Sequence, residues 1–224
     1  MPRKVRRAAI SPETVYQRAY ANKRAGELLW KNLRSQKLWK KRYGKAERRG
    51  TIPNRISIDD RPAIVETRRR IGDWEADTVI GNNHRQAIES IVERKTGYTL
   101  IRKVERKTAL PVSQAMIELL KPHRKKVHTI TSDNGKEFAG HEEIANKLKA
   151  KFYFAPPYSS WERGTNENTN GLIRQHFPKN RDFTTITQQE IDAAMERLSN
   201  RPRKRLGYKT PSQVFFKSGV ALHI

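Results

Sequence analysis

Three acids alternate along one short segment, Asp73-Trp74-Glu75-Ala76-Asp77. Successive side chains of an extended strand point to opposite faces, so Asp73, Glu75 and Asp77 share one face while Trp74, Ala76, Thr78 and Ile80 share the other. Taken alone, this is the pattern of a solvated strand face backed by an apolar one, and periodicity does not choose among the three acids. A fourth acid, Asp133, follows the β-branched run Val127–Ser132 and opens the turn sequence Asp133-Asn134-Gly135. The carboxyl end of a strand is where sheets with crossover helices place ligand-binding residues. A fifth, Glu167, lies in Arg163–Gly171, a stretch poor in helix formers that has the local character of a surface loop. Carboxylates gathered at one sheet edge repel and raise one another's pKa unless cations neutralise them. Such a cluster predicts hard divalent ions on oxygen ligands, Mg²⁺ or Mn²⁺, and two ions about 3.5–4 Å apart suit an in-line displacement at phosphorus.

The elements that must position these acids are legible from periodicity. Asp73 to Ile80, Ala87 to Glu93 and Tyr98 to Val104 read as three strands of an antiparallel meander, the last two joined at Thr96-Gly97. A helix from Thr108 places Val112, Ala115, Met116, Leu119 and Leu120 on one buried stripe. A strand at Val127–Ser132, a short helix around His141–Ala150, a strand at Phe152–Ala155, a Pro156-Pro157 loop and a helix through Glu167 complete the order β-β-β-α-β-α-β-α. The expected class is α/β, a mixed sheet with helices on its faces, and acids from strands one and four and the last of these helices can converge at one edge. A further helix near Gln188–Asn200 turns Ile191, Ala194, Met195 and Leu198 inward. Near the start, Ser11-Pro12-Glu13 is a helix-start signal, with a helix to about Tyr20 that leaves Gln17 and Arg18 outward.

The 224 residues carry 47 Lys and Arg against 23 Asp and Glu, a net charge of +24, which points to a polyanionic partner. Residues 1–60 hold 17 basic and 5 acidic residues, so this excess is densest at the N-terminus. The run there that includes Lys40, Lys41 and Arg42 reads equally as a solvated basic linker and as a DNA-contacting arm. Without Cys there is no disulfide, thiolate nucleophile or cysteine zinc site, and the His residues lack zinc spacing. No apolar run reaches the ~18–20 residues of a membrane span and no signal-peptide core is present, which predicts a soluble, intracellular protein. A phosphate loop of the GxxxxGK[ST] type is absent too, so no nucleotide cofactor is expected.

The runs GDWEADT at 72–78, TSDNGKEF at 131–138 and WERGTNENTNGLIRQ at 161–175 resemble the transposases of the insertion sequence thirty family. The likeness covers most of residues 60–217 in order. The RGTNENTNGLIRQ run is the specific part, whereas SDNGxEF is common to retroviral-type integrase cores. The resemblance implies a ribonuclease-H-like five-stranded core over 61–224 with a basic C-terminal tail, preceded over 1–60 by a basic helical DNA-binding remnant and linker. It implies a DDE triad of Asp77, Asp133 and Glu167, with 33 residues between the last two. Glu162, five helical positions from Glu167 and so about 140° away around the axis, cannot share its metal.

The same resemblance implies that the triad holds two Mg²⁺ or Mn²⁺ ions, that water activated there cleaves a DNA strand, and that the freed 3′-OH attacks target DNA. Asn134, Gly135, Asn166 and Asn168 are expected to shape the site, with turn or cap chemistry as an equal reading. Lys136, Arg163 and Arg174 near the acids, and Arg203, Lys204 and Arg205 in the tail, are candidate phosphate contacts, as are Gln17 and Arg18. The expected partner is double-stranded DNA, element ends and target, bound by a homo-oligomer in the bacterial cytoplasm at the nucleoid. ISPETVYQRAY resembles the last helix of a helix-turn-helix unit with only ten residues before Ser11, so an N-terminally truncated transposase is expected. A non-catalytic DNA-binding remnant is the main alternative; a tyrosine recombinase and a basic structural protein rank well below.

Overall fold

A computed structural model describes residues 11–32, 52–82, 86–156 and 164–217, and Lys40, Lys41, Arg42, Glu162 and Arg163 lie outside them. The chain divides into two units, Met1–Gly50 and Thr51–Ile224. In the first, α1 (Pro12–Arg24) starts as its sequence predicts: the Ser11 side chain accepts the Thr14 N–H and proline occupies the first turn. Ala19 is buried, Tyr16 and Tyr20 stack, and Gln17 and Arg18 are exposed. Lys23 lies 3.8 Å over the Trp30 ring, so that tryptophan packs against its own unit.

The second unit is built on β1 (Asp73–Ile80), β2 (Ala87–Glu93), β3 (Thr99–Val104), β4 (Thr129–Ser132) and β5 (Lys151–Phe154). Their order is β3-β2-β1-β4-β5; β1 to β3 are antiparallel and β4 joins both β1 and β5 in parallel. Short α2 (Ile64–Thr67) leads into β1. The helices α3 (Ala109–Leu120), α4 (His141–Leu148), α5 (Gly164–His176), α6 (Gln188–Asn200) and α7 (Pro211–Phe216) complete the mixed α/β unit. Residues 52–60, on the linker side of the boundary expected from sequence, lie against β5: Phe154 N–H donates to Ile56 and Ser57 bridges to Phe154. Among the described residues no helix is long and apolar enough to cross a membrane.

Two apolar clusters fill the two sides of the sheet. Trp74, Ala76, Ile91, Leu100 and Ile130 pack with α3 and α4, while Val79, Ile88 and Ile101 pack with Ile173 of α5 and Ile191 of α6. The face that carries Asp73, Glu75 and Asp77 is therefore covered by α5, not solvated as the alternation alone suggests. Asp73 and Glu75 are fully buried, and arginines offset their charge. Arg70 grips Asp73 through two hydrogen bonds of 2.9 and 2.8 Å. Arg94, itself buried, brings Nη1 to 3.2 Å from Glu75 and donates from Nη2 to Glu66. The Arg94–Glu75 contact is an ion pair off hydrogen-bond alignment, which leaves Glu75 Oε1 and Arg94 Nη1 without a linear partner.

α5 forms where local propensity favours a loop, because tertiary contacts override a run rich in Asn, Thr and Gly. Thr165, Asn166, Thr169 and Ile173 are buried against the sheet. Glu75 Oε2 accepts the Asn166 N–H at 2.8 Å, satisfying one of the unpaired donors of the first turn and placing a carboxylate at the positive end of the helix.

Removing one partner of a buried ion pair strands the other charge. Arg94→Met is expected to lower unfolding free energy by about 3–5 kcal/mol in urea titrations, with much of that recovered in the Glu75→Met, Arg94→Met double variant. Equal losses in the single and double variants would mean that the pair is not coupled.

Candidate active site

β1 and β4 run parallel with Asp73, Trp74 and Glu75 opposite Thr129, Ile130 and Thr131. The pairing stops at Glu75 and Thr131, and two residues further along each chain come Asp77 on β1 and Asp133 just past the end of β4. Both are half-buried. Asp133 Oδ1 accepts the Gly135 N–H at 3.0 Å, closing the turn predicted from Asp-Asn-Gly. Asn134 fixes that turn from both sides, accepting from Arg55 Nη1 at 2.7 Å and donating to the Ala155 carbonyl at the end of β5.

The Asp77 carboxylate accepts the Thr78 N–H at 2.8 Å and the Asn170 side-chain amide at 3.0 Å. The three-way ambiguity of the sequence thus meets three different surroundings: Asp73 and Glu75 face arginines and build the fold, whereas Asp77 takes neutral donors at the open end of the strand. Asn170 also accepts from Ser90 Oγ, which itself donates to the Asp77 carbonyl. Asn166 and Asn170, four residues apart on α5, form the helix stripe that lies on β1. Glu167 stands exposed beside that stripe in the first turn. Among the described residues no three His, Asp or Glu side chains stand at metal-ligand spacing, so Asp77, Asp133 and Glu167 are not closed upon one point.

Other expected residues fall in varied places. Asn168 is exposed, two positions round the helix from the stripe, and Asn166 acts through its backbone N–H. Lys136 is exposed in the turn after Asp133. Arg174 donates to the Ile80 carbonyl at 2.8 Å and lies over Phe183, with burial lowering its pKa. Arg203 and Arg205 donate to the Leu198 and Lys95 carbonyls at 3.1 and 2.7 Å, so both guanidinium groups brace backbone, while Lys204 is exposed.

Two further acids stand at this end of the sheet: Glu137, the acid of the SDNGxEF run, and Glu89. Glu137 folds back under Gly135, where a β-carbon would fall 2.5 Å from its carboxylate, and there accepts from Thr78 Oγ1 at 3.1 Å and pairs with Lys107 at 2.9 Å. Glu89, opposite Thr78 on β2, is fully buried, and neither of its carboxylate oxygens has a hydrogen-bond partner. Burial drives its pKa well above the usual glutamate range, and Asp77, Glu137 and Asp133 push it further against Lys107. The helical spacing of Asn170 from Asn166 was a usable cue; for Glu89 nothing local marks an acid inside an apolar strand.

Carboxylates from two strands, with a third on the adjoining helix, are the donor type of a hard divalent ion, and the orphaned Glu89 oxygens mark excess negative potential beneath them. Since the raised pKa of Glu89 favours the protonated native state, its stabilising contribution is present below the usual glutamate range and lost as pH rises through the raised value. Glu89→Gln is expected to gain in thermal midpoint over the parent as pH rises above the usual glutamate range with chelator present. Parallel pH profiles would show that Glu89 does not titrate in this way.

No family model matches the chain. It is 52% identical over 209 residues to the transposase for insertion sequence element IS4351 of Bacteroides fragilis, a match covering 93% of this chain and 64% of that protein. To transposase InsI for element IS30C of Escherichia coli K12 it is 40% identical over 222 residues, 95% of this chain and 57% of that one. To the transposase for IS1086 of Cupriavidus metallidurans it is 37% identical over 215 residues, covering 92% and 62%. The chain thus spans less than two thirds of the length of each of these relatives. Among solved structures, the catalytic core of BIV integrase matches with TM-score 0.50 and 23% identity over 65% of this chain and 94% of that core. The HTLV-2 integrase catalytic core in complex with magnesium matches with TM-score 0.51 and 18% identity, over 65% and 97%. At such identities the likeness is one of fold, the ribonuclease-H-like fold of retroviral integrase cores. Over the stretch that it shares with these relatives, the chain is similar to transposases of the IS30 family.

Proposed function

We propose that the chain is a DDE transposase core that cleaves DNA strands and transfers them to a target duplex, with Asp77, Asp133 and Glu167 as its metal-binding and catalytic acids. The observation that supports this reading is the matched position of Asp77 and Asp133, each two residues past the last β1–β4 pair, beside a helix that bonds Asp77 through Asn170 and bears Glu167 in its first turn. Mg²⁺ or Mn²⁺ bound by these carboxylates would supply Lewis-acid stabilisation of the oxygens exchanged at phosphorus. The chain's own groups do the positioning. Asn170 and the Thr78 N–H aim the Asp77 carboxylate, the Gly135 N–H aims that of Asp133, and Asn134 locks the turn to β5. Exposed Lys136 borders the acids and is placed to meet a phosphate. No side chain is needed as a covalent carrier, because water and a DNA 3′-OH serve as successive nucleophiles.

The partners in this reading are element ends and target DNA, handled by a homo-oligomer in the bacterial cytoplasm, and the net charge of +24 supports it. Binding through about 6–10 phosphates should weaken by about 10³–10⁵ between about 50 and about 200 mM salt.

The test is Mg²⁺-dependent nicking and strand joining on a labelled duplex at low salt. Asp133→Asn and Glu167→Gln are expected to abolish cleavage while duplex affinity stays equal or rises slightly. Asn170→Ala, which releases Asp77 without removing a carboxylate, is expected to lower the rate by about tenfold to a hundredfold, as loss of a group that orients a metal ligand does. A parent protein that binds duplex yet leaves it whole with either ion would be a DNA-binding remnant, and variants that nick as the parent does would overturn the assignment of the acids.

A further inference from the structure

The pole of the sheet opposite Asp133 holds a cleft of about 790 Å³ between the segment that joins α3 to β4 and the end of α4. Lys121, Arg124, Lys125, Lys126 and Lys149 line it, and no carboxylate does. Lys126 is engaged, donating to the Phe215 carbonyl at 2.7 Å and lying over the Phe215 ring. The other four are exposed, and among the described residues none is paired with an acid. That is unlike Arg102, Lys107 and Lys147, which all have carboxylate partners.

The backbone explains a small part of this charge. α3 ends at Leu120 and α4 at Leu148, so two helix C-termini face the lining. Each carries about half a negative charge, about one in total, against five formal positive charges. His123, whose pKa burial and Lys126 lower, adds none near neutrality. Lys149 holds a left-handed backbone (φ 54°) as the cap of α4, a position where glycine or asparagine is more at ease. A lysine there is a side chain kept in spite of its backbone.

We propose that this cleft is a second DNA-backbone site, one that grips the phosphates of a duplex stretch that is not the one being cut. From His128 to Asp133 the chain runs five residues along β4, about 16 Å at ~3.3 Å per residue, so the phosphate at the acids and the phosphates in the cleft are different ones. Lysine and arginine on flexible stems, with no recognition of base edges, suit the sequence-independent contacts made to phosphates. An acidic peptide would be held by an open strand edge or an apolar groove as well, and of the apolar residues in the lining Val127 and Leu148 are buried, which leaves only Pro122 and Phe216 exposed. The inference rests on the reading of the chain as one that acts on DNA.

The test labels lysines of the full chain with an acylating reagent, with and without a duplex and without divalent metal, and reads each site by mass spectrometry. Duplex is expected to protect Lys121, Lys125 and Lys149 severalfold. In parallel, the variant Arg124→Gln, Lys125→Gln, Lys149→Asn, in which asparagine keeps the left-handed cap, is expected to reduce the steepness of the logarithmic salt dependence of duplex binding by about three. The same variant should nick a short duplex at the parental rate and lose strand joining to a separate target. Unprotected lysines with an unchanged salt slope would overturn the proposal, and so would protection by polyglutamate but not by duplex. Cleft protection in a protein that never nicks would remove the catalytic reading and leave the second site standing.

Discussion

The hydrogen bond from the Asn166 N–H to Glu75 is the contact on which the arrangement of the acids depends. It ties the first turn of α5 to the middle of β1, and since helix positions are fixed relative to one another, it also sets where Glu167 and Asn170 lie. Glu75 does this from a fully buried position, and burial pushes its carboxyl above the usual glutamate range. Arg94 offsets that cost, and Arg94 is in turn held by Glu66 from α2. A chain of charges thus leads from a surface acid, through a buried arginine and a buried glutamate, to a helix terminus beside Asp77. Each member alone would be unfavourable inside a protein.

Much of this architecture was legible before any coordinates. β1, β2 and α6 span the residues that alternation and helical periodicity assign; Trp74 and Ile91 face one apolar layer, and Val79, Ile88 and the inward stripe of α6 the other. What was not legible has a common physical cause, namely partners far away in sequence. Asp73, Glu75 and Asp77 look alike along the strand; Arg70, Arg94 and Asn170 separate them, and nothing local pairs Glu75 with an arginine nineteen residues on. The stretch around Glu167 has loop propensities and becomes helix because the sheet covers one of its faces. Glu89 shows the limit in its strictest form: Ile88 and Ile91 beside it are core residues, and the carboxylates that act on it come from two other segments.

The positive charge, read from composition as one property, divides in the fold into distinct uses. Arg70 and Arg94 neutralise acids inside the domain. Arg174, Arg203 and Arg205 satisfy carbonyls of strand, helix and turn. Lys121, Arg124, Lys125 and Lys149 remain as uncompensated cations on one concave surface. Arginine dominates the first two uses, where a rigid planar fork suits fixed acceptors, and lysine the last, where a mobile point charge suits a polyanion.

Gly135 gives the site its asymmetry. A β-carbon there would collide with Glu137, so the turn that carries Asp133 is clamped between that folded-back side chain and the Asn134 bond to β5. Asp77 is seated just as firmly, paired with Ser90 across β2 and held by the Thr78 N–H and the Asn170 amide. Glu167 has no such clamp, standing exposed in the opening turn of its helix. In the proposed site, two of the three acids are therefore held by the fold itself, and the placing of the third depends on what binds there.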